Sequence, residues 1–202
     1  MKRILTISLI VISFCIYSQN QTSKEWFSNI EIEYGENFEV NYNYALDDDK
    51  VIDELYNKNI FRKEHKLDNR NSFGLIYNIN YPIFNKLTLG AIGGFQFQAQ
   101  QKISALKLGG ILRYHFVNYE SININLMTAY NLALSKNIGS KMGNVRFGLQ
   151  FPIVKMNDFN LNLNFFYDVN FYSYKGKYIN EINENSGDLT FKSTGLSFGF
   201  LF

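Results

Sequence analysis

The chain ends on the stretch TGLSFGFLF, residues 194–202, in which large and small residues alternate. Every second position holds a large apolar side chain: Leu196, Phe198, Phe200 and Phe202. Successive side chains of a β-strand point to opposite faces, so this alternation predicts a strand with one apolar face and one small, mostly polar face. Soluble domains also use such strands, and the rest of the chain must indicate what the apolar face contacts.

The N-terminus predicts export from the cytoplasm. Residues 1–3 are basic at Lys2 and Arg3, residues 4–17 are apolar and uncharged, and residues 18–20 are polar. This order is typical of a secretory signal peptide, which we place at residues 1–19, leaving one domain over residues 20–202. A lipoprotein would instead be acylated at Cys15, but the preceding Phe14 is large where such sites favour a small residue.

Composition excludes several classes of function. The formal net charge of +2 falls to zero once Lys2 and Arg3 leave with the signal peptide, so nothing attracts nucleic acid electrostatically. The only cysteine is Cys15, so the mature chain has neither disulfides nor a cysteine-based metal site. We expect no cofactor.

Eight segments of the mature chain alternate with a period of two. They cover residues 30–46, 72–82, 87–98, 103–116, 121–134, 144–154, 159–173 and 192–202. Each is long enough for a tilted membrane strand of about 9–11 residues. Short turns follow the second, fourth and sixth segments, whereas long charged loops follow the first and seventh; the short loop after the third is an exception.

These features predict an all-β fold, a closed eight-stranded antiparallel up-and-down transmembrane β-barrel with both termini in the periplasm. The alternative is a soluble barrel or sandwich, whose outer face would carry charges along most strands. The second, fifth and eighth segments carry almost no charge, which favours the membrane barrel. Because lipid cannot hydrogen-bond an open sheet edge, the first and last strands are expected to pair.

The signal peptide, the eight alternating strands and the terminal phenylalanine strand together resemble small outer-membrane β-barrel proteins of Gram-negative bacteria. The "YSQ" cut and the Asn-, Ile-, Lys- and Tyr-rich composition look most like the Bacteroidota barrel-domain type. The resemblance implies a bacterial outer-membrane location at the cell surface. It also implies that the barrel-assembly machinery reads the last strand at Leu196, Phe198, Phe200 and Phe202.

The first segment is expected to keep one apolar, lipid-facing side from Ile30 through Val40, Tyr42 and Tyr44. Glu36 falls on that side, and we place it near the periplasmic interface, where a charge costs little. A tight hairpin at residues 34–37, sequence YGEN, is an alternative that would interrupt the strand.

The polar face of the strands should line the lumen and form a structural network that pairs its charges. Its predicted members are Glu31, Glu33, Glu39, Lys107, Arg113, His115, Arg146 and Asp168. A narrow pore through this side-chain-filled lumen is the second interpretation. A lipid A-modifying enzyme is the third, but no Ser/His/acid set is evident around His65 or His115, so we assign no catalytic, cofactor-binding or metal residue.

The first loop carries apolar residues among its charges: Val51, Ile52, Leu55, Tyr56, Ile60 and Phe61. Val51 and Leu55 are spaced as on one helical face, so this loop could cap the barrel or contact a partner. The sequence thus predicts a non-enzymatic barrel with a structural or surface-interaction role. Its partners would be outer-membrane lipid, the assembly machinery and an unknown surface or periplasmic protein.

Overall fold

The structure is a computed structural model that describes residues 25–45, 62–68, 70–118, 120–136, 138–139, 141–156, 159–175 and 187–202. The predicted signal peptide and the apolar residues of the first loop lie outside the described residues. The strands are β1 (Phe27–Ala45), β2 (Arg62–Lys66), β3 (Asn71–Phe84), β4 (Leu87–Gln98), β5 (Ile103–His115), β6 (Asn123–Ala133), β7 (Ile138–Gly139), β8 (Lys141–Lys155), β9 (Asn160–Tyr174) and β10 (Gly187–Leu201). Within these ranges no helix is long and apolar enough to cross a membrane.

Eight long strands close into an antiparallel barrel in the order β1, β3, β4, β5, β6, β8, β9, β10. The seam joins β10 to β1, and it extends to the last residue through backbone hydrogen bonds of 2.8 and 2.9 Å between Ser28 and Phe202. The predicted closed eight-stranded antiparallel barrel and the pairing of its first and last strands are therefore confirmed. Two short strands were not predicted. Strand β2 pairs with the last five residues of β1, Asn41–Ala45, and β7 pairs with β9.

The strands are staggered around the barrel. Following the paired residues from Asn29 on β1 through β3, β4, β5, β6, β8, β9 and β10 leads back to β1 at Val40. Such an offset requires tilted strands. We call the end that holds Phe27 and Leu201 the terminal end, and the opposite end the loop end.

A β-bulge divides β1 into two halves that face opposite ways. The pairing with β10 shifts between Asn37 and Glu39, which inserts one extra residue and reverses the alternation. Below the bulge Glu31 and Glu33 point inward, whereas above it Val40 and Tyr42 do. The prediction that Val40, Tyr42 and Tyr44 face outward is wrong for this reason. The strand itself is continuous, so residues 34–37 do not form a hairpin.

Glu36 faces outward as its parity predicts, but it lies away from the terminal end, on the side of the barrel nearer the loop end. It pairs with Asn71, the first residue of β3, while the neighbouring Asn37 amide donates to the Gln98 side chain at the end of β4 (2.9 Å). Because β3 and β4 are joined by a turn at the terminal end, these residues mark the loop end. The prediction of a position near the terminal end is corrected accordingly.

Bulky apolar side chains cover the outside of the barrel, and mostly polar ones fill it. Leu108 and Phe147 are each more than half exposed near the middle of their strands. The residues of the terminal strand are exposed as well: Leu196, Phe198, Phe200 and Phe202. Buried polar residues outnumber buried apolar ones, the reverse of a soluble core.

Adjacent glycines on β5 give a matched test of strand packing. A Cβ at Gly109 would lie 2.0 Å from the backbone oxygen of Thr128 on β6, whereas one at Gly110 would meet only the Gly90 oxygen at 3.5 Å. We expect Gly109→Ala to destabilise the barrel by about 1–3 kcal/mol, because backbone cannot move aside. Gly110→Ala should be neutral or stabilising by up to about 1 kcal/mol. Urea midpoints in detergent measure both, and equal midpoints would contradict this packing.

Candidate functional site: the barrel interior

The interior is built in layers. A polar layer around Glu31 and Arg113 lies toward the terminal end, a charged layer around Asp168 lies above it, and an apolar cluster closes the loop end. A smaller apolar patch lines the inner face of β3 to β6: Ile76, Ile92, Ile111, Met127 and Ala129. Alternation within the eight strands brings the polar layers together, because each strand contributes every second side chain.

Glu31 is the acceptor at the centre of the terminal layer. Its carboxylate accepts hydrogen bonds from the Asn29 amide and the Ser197 hydroxyl, both at 2.8 Å, and from the Asn78 amide at 3.3 Å. Arg113 lies 3.5 Å from the same carboxylate. All of these groups are buried, so the hydrogen bonds offset the cost of removing the ion pair from water.

Arg113 is held by two asparagines on β3. Its guanidinium donates to the side-chain oxygens of Asn78, at 3.1 Å, and of Asn80. The Asn80 amide donates in turn to Asn78 at 2.7 Å. A planar guanidinium held by several acceptors has a fixed orientation, so Arg113 is anchored to β3 within this layer.

Asp168 is the acceptor at the centre of the charged layer and is fully buried. Its donors are the side chains of Gln96, Lys107, Asn144, Arg146 and Asn170. The Lys107 ammonium lies 3.4 Å from the carboxylate, and the Arg146 guanidinium lies 3.2 Å from it. One carboxylate on β9 therefore holds two cations, which come from β5 and β8.

Arg146 links three residues across the interior. Its two terminal nitrogens contact the two carboxylate oxygens of Glu33, and one of them also donates to Asp168. Its guanidinium carbon lies 4.0 Å from the centre of the Phe166 ring, a cation–π contact. Arginine suits this position because it can satisfy two carboxylates and stack on a ring at once.

The buried charges balance. Glu31, Glu33 and Asp168 are the acids, and Lys107, Arg113 and Arg146 are the bases. A buried charge without a partner would cost several kcal/mol, so equal numbers in contact are what a water-excluding interior requires. Among the described residues, each of these six charges contacts at least one of opposite sign.

Two predicted members of the network lie apart from it. Glu39 is on the outer face, because the bulge reverses the strand just before it, and there it accepts from Lys192 (2.9 Å) and from Asn41 (2.6 Å). His115 is buried inside at the terminal end, where its Nε2 lies 3.1 Å from the Thr88 hydroxyl. The other six predicted residues contact one another in the two layers described above.

The sequence did not predict the apolar cluster at the loop end. It comprises Val40, Tyr42, Tyr44, Ile103, Ala105, Ile138, Tyr172, Leu189 and Phe191. Its tyrosines and phenylalanine pack edge to face and stacked, as in the ring pairs Tyr42–Tyr44 and Tyr172–Phe191. The signal in the sequence was the inward parity of Ile103, Ala105, Tyr172, Leu189 and Phe191 relative to their strands.

Chemistry elsewhere on the described chain is sparse. No group of three or more His, Cys, Asp or Glu residues among the described residues could hold a metal ion. His65 is exposed on β2, and the Ser121 hydroxyl is bonded to the Asn118 backbone oxygen (2.7 Å) in a turn. Neither residue lies in an arrangement that would activate a nucleophile.

No family model matches this chain, and no curated protein matches it in sequence. Solved structures similar to it include the outer membrane protein OprG from Pseudomonas aeruginosa, at 12% identity and a TM-score of 0.49, covering 92% of this chain and 99% of that one. The outer membrane protein AlkL, solved in lipid bilayers, has 14% identity and a TM-score of 0.42 over 90% and 92% of the two chains.

Neisserial surface protein A has 10% identity and a TM-score of 0.39, covering 87% of this chain and 98% of that one. These neighbours are small outer-membrane barrels, the class that the resemblance of the sequence indicated. At such low identity the likeness carries no information about ligand, activity or partner.

Proposed function

We propose that the chain is a non-enzymatic outer-membrane barrel with a structural or surface-interaction role. The observation that carries this proposal is the apolar outer surface, on which side chains such as Leu89, Leu108, Phe147 and Phe198 are exposed by half or more. Monomeric soluble proteins rarely expose apolar patches beyond a few hundred Å². Such a surface is suited to contact with the hydrocarbon core of a membrane.

Aromatic side chains near the barrel ends support the same placement. Trp26 and Tyr81 pack with ring centres 4.9 Å apart at the terminal end, and Tyr114 packs against Phe116 there at 6.1 Å. Aromatic rings of this kind favour the boundary between lipid and water. The short turns at the terminal end and the longest connections at the loop end support termini in the periplasm.

The interior argues for a plug over the alternative of a narrow pore. Ions cross a barrel through water, and here the six buried charges contact one another while an apolar cluster closes the loop end. An eight-stranded barrel has an interior that side chains nearly fill, so little space is left to conduct. A surface protein would therefore be contacted at the loop end, and a periplasmic protein would be contacted at the terminal end. Outer-membrane lipid would surround the apolar belt between them.

Membrane fractionation, a heat-modifiability gel and planar-bilayer recording test the proposal together. The mature chain should fractionate with outer membranes, migrate faster before boiling than after, and give no discrete conductance steps. Steps that disappear when the protein is denatured would replace the structural role with the pore. A chain that is folded and soluble in water without detergent would overturn the membrane placement itself, and detergent-purified protein that cleaves or acylates lipid A would overturn the non-enzymatic role.

We also propose that the assembly machinery recognises the last strand during insertion. The Phe202 backbone closes the seam through its hydrogen bonds with Ser28. Its side chain is exposed by 54%, so removing the ring should change the stability of the folded barrel little. Phe202→Ala should therefore refold normally in detergent but lower the amount of assembled barrel in cells several-fold. Phe116→Ala, an exposed aromatic at the same end, serves as the control, and equal cellular levels of the two variants would refute the signal.

A further inference from the structure

A small cavity lies at the terminal end of the lumen. It is lined by inward side chains of β5, β6, β8 and β9 and by Glu120 and Ser121 of the turn between β5 and β6. Its volume is about 10 Å³, which is room for one particle of the size of water. Organic ligands bind in pockets of about 300 Å³ or more, so the cavity is too small for them. Its occupant must be a water molecule or a small ion.

Three residues that line this cavity carry buried amide oxygens without a hydrogen-bond partner among the described residues. They are Oδ1 of Asn123, Oε1 of Gln150 and Oδ1 of Asn160. Asn123 and Gln150 are more than nine-tenths buried, with exposed fractions of 3% and 4%. Leaving a buried acceptor unpaired costs about 1–3 kcal/mol, so three of them around one cavity indicate that something occupies it.

The strand pairing brings these three amides to one place. Asn123 on β6 is the direct partner of Gln150 on β8. Paired side chains on one face of an antiparallel sheet lie about 5 Å apart at Cβ, so both amides can reach the same ion. Asn160 is the first residue of the next strand, β9, and it pairs with Lys155 near the end of β8. Three neighbouring strands thus contribute one oxygen each.

The unmet groups favour a cation over water. A water molecule has only two protons to donate and would leave one of the three oxygens unpaired, whereas a hard cation is bound by oxygens alone. Glu120 adds a carboxylate to the lining, and its partner Lys155 is exposed. Arg113 also lines the cavity, but its guanidinium is committed to Glu31 and to the asparagines of β3. One carboxylate suits a monovalent rather than a divalent ion.

We propose that this cavity binds a small monovalent cation, an alkali metal ion or ammonium. The amide oxygens of Asn123, Gln150 and Asn160 would contact it, and Glu120 would supply negative charge at the mouth. Such an ion would tie the ends of β6, β8 and β9 together, so the stability of the barrel would depend on the salt at its terminal end. This inference goes beyond the proposed structural role and does not depend on it.

Urea midpoints of the mature protein in detergent test the proposal. They are measured in sodium, potassium or ammonium chloride and compared with choline chloride at equal ionic strength, because choline is too large for the cavity. At least one of the three small cations should raise the midpoint, and the gain should level off as its concentration fills the site. The cation that raises the midpoint at the lowest concentration identifies the preferred occupant.

Gln150→Met and Asn123→Leu each remove one amide oxygen at nearly constant shape, and each should lose the cation-specific gain. Gln96→Met is the matched control: Gln96 is also a buried glutamine with an unpartnered Oε1, but it lies in the charged layer and does not line the cavity. Its gain should persist.

Heat-modifiability gels report folding of each variant. Equal wild-type midpoints in all four salts would overturn the proposal and leave water as the occupant. A gain that persists in the folded cavity variants, or that is lost equally in Gln96→Met, would overturn it as well. A failure here leaves the membrane placement standing, because fractionation tests that separately.

Discussion

Asp168→Asn should destabilise the barrel by about 3–5 kcal/mol, one of the two largest effects that we expect of a single substitution. The change keeps the shape of the side chain but removes the one carboxylate that Lys107 and Arg146 share. Glu33 would then face both cations alone, leaving one buried positive charge without a partner. Urea midpoints of protein folded in detergent, followed by gel mobility, measure the loss.

A compensating variant separates charge balance from the loss of hydrogen bonds. Lys107→Met in the Asp168→Asn background removes the surplus cation, and it should recover at least half of the lost stability, since the two residues contact each other. Glu120→Gln is the control: it breaks the exposed pair with Lys155, which should contribute less than about 1 kcal/mol. A double variant as unstable as Asp168→Asn alone would refute charge balance as the cause.

Leu108→Arg should destabilise the barrel in lipid by about 2–4 kcal/mol, although the site is a surface position exposed by 53%. Leu108 lies near the middle of β5 and points outward, so an arginine there would have to be desolvated in the hydrocarbon. On a water-exposed face the same substitution would change stability by no more than about 0.5 kcal/mol. Equilibrium folding into lipid vesicles distinguishes the two.

Leu134→Arg provides the depth control for the same substitution. Leu134 is exposed by 57% and follows the last residue of β6 at the loop end, so an arginine there can reach water. Its cost should be about 0–1 kcal/mol. Equal costs at Leu108 and Leu134 would mean that no hydrocarbon layer surrounds the middle of the barrel.

The strands could be predicted because they depend only on a period of two, and the seam because an open sheet edge cannot be hydrogen-bonded by lipid. The final strand shows this clearly: Phe198 and Phe200 are exposed where their alternation places them. The inward direction of Arg113, Arg146 and Asp168 follows from the same rule. Partners on strands distant in sequence, such as Glu33 and Arg146, could not be assigned, because the stagger of the barrel decides which residues share a height.

The half of β1 nearer the loop end could not be predicted from a period of two. One inserted residue near Phe38 reverses every later side chain, and no residue type in the stretch announces the bulge. Glu39 was misplaced outright, and Val40 and Tyr42 were assigned to the wrong face. The short strand β2 was missed because its sequence, RKEHK, contains no apolar residue and so shows no alternation.

The bulge also changes which kind of side chain β1 presents on its outer face. Between the terminal end and the bulge, β1 has apolar side chains outside and polar side chains inside. Beyond the bulge, Glu39 and Lys192 face outward and Val40 and Phe191 face inward, as in a water-soluble protein. A single extra residue thus turns the strand inside out at one height. Beyond that height, the outer side of β1 and β10 carries the ion pair Glu39–Lys192, which suits contact with water rather than with hydrocarbon.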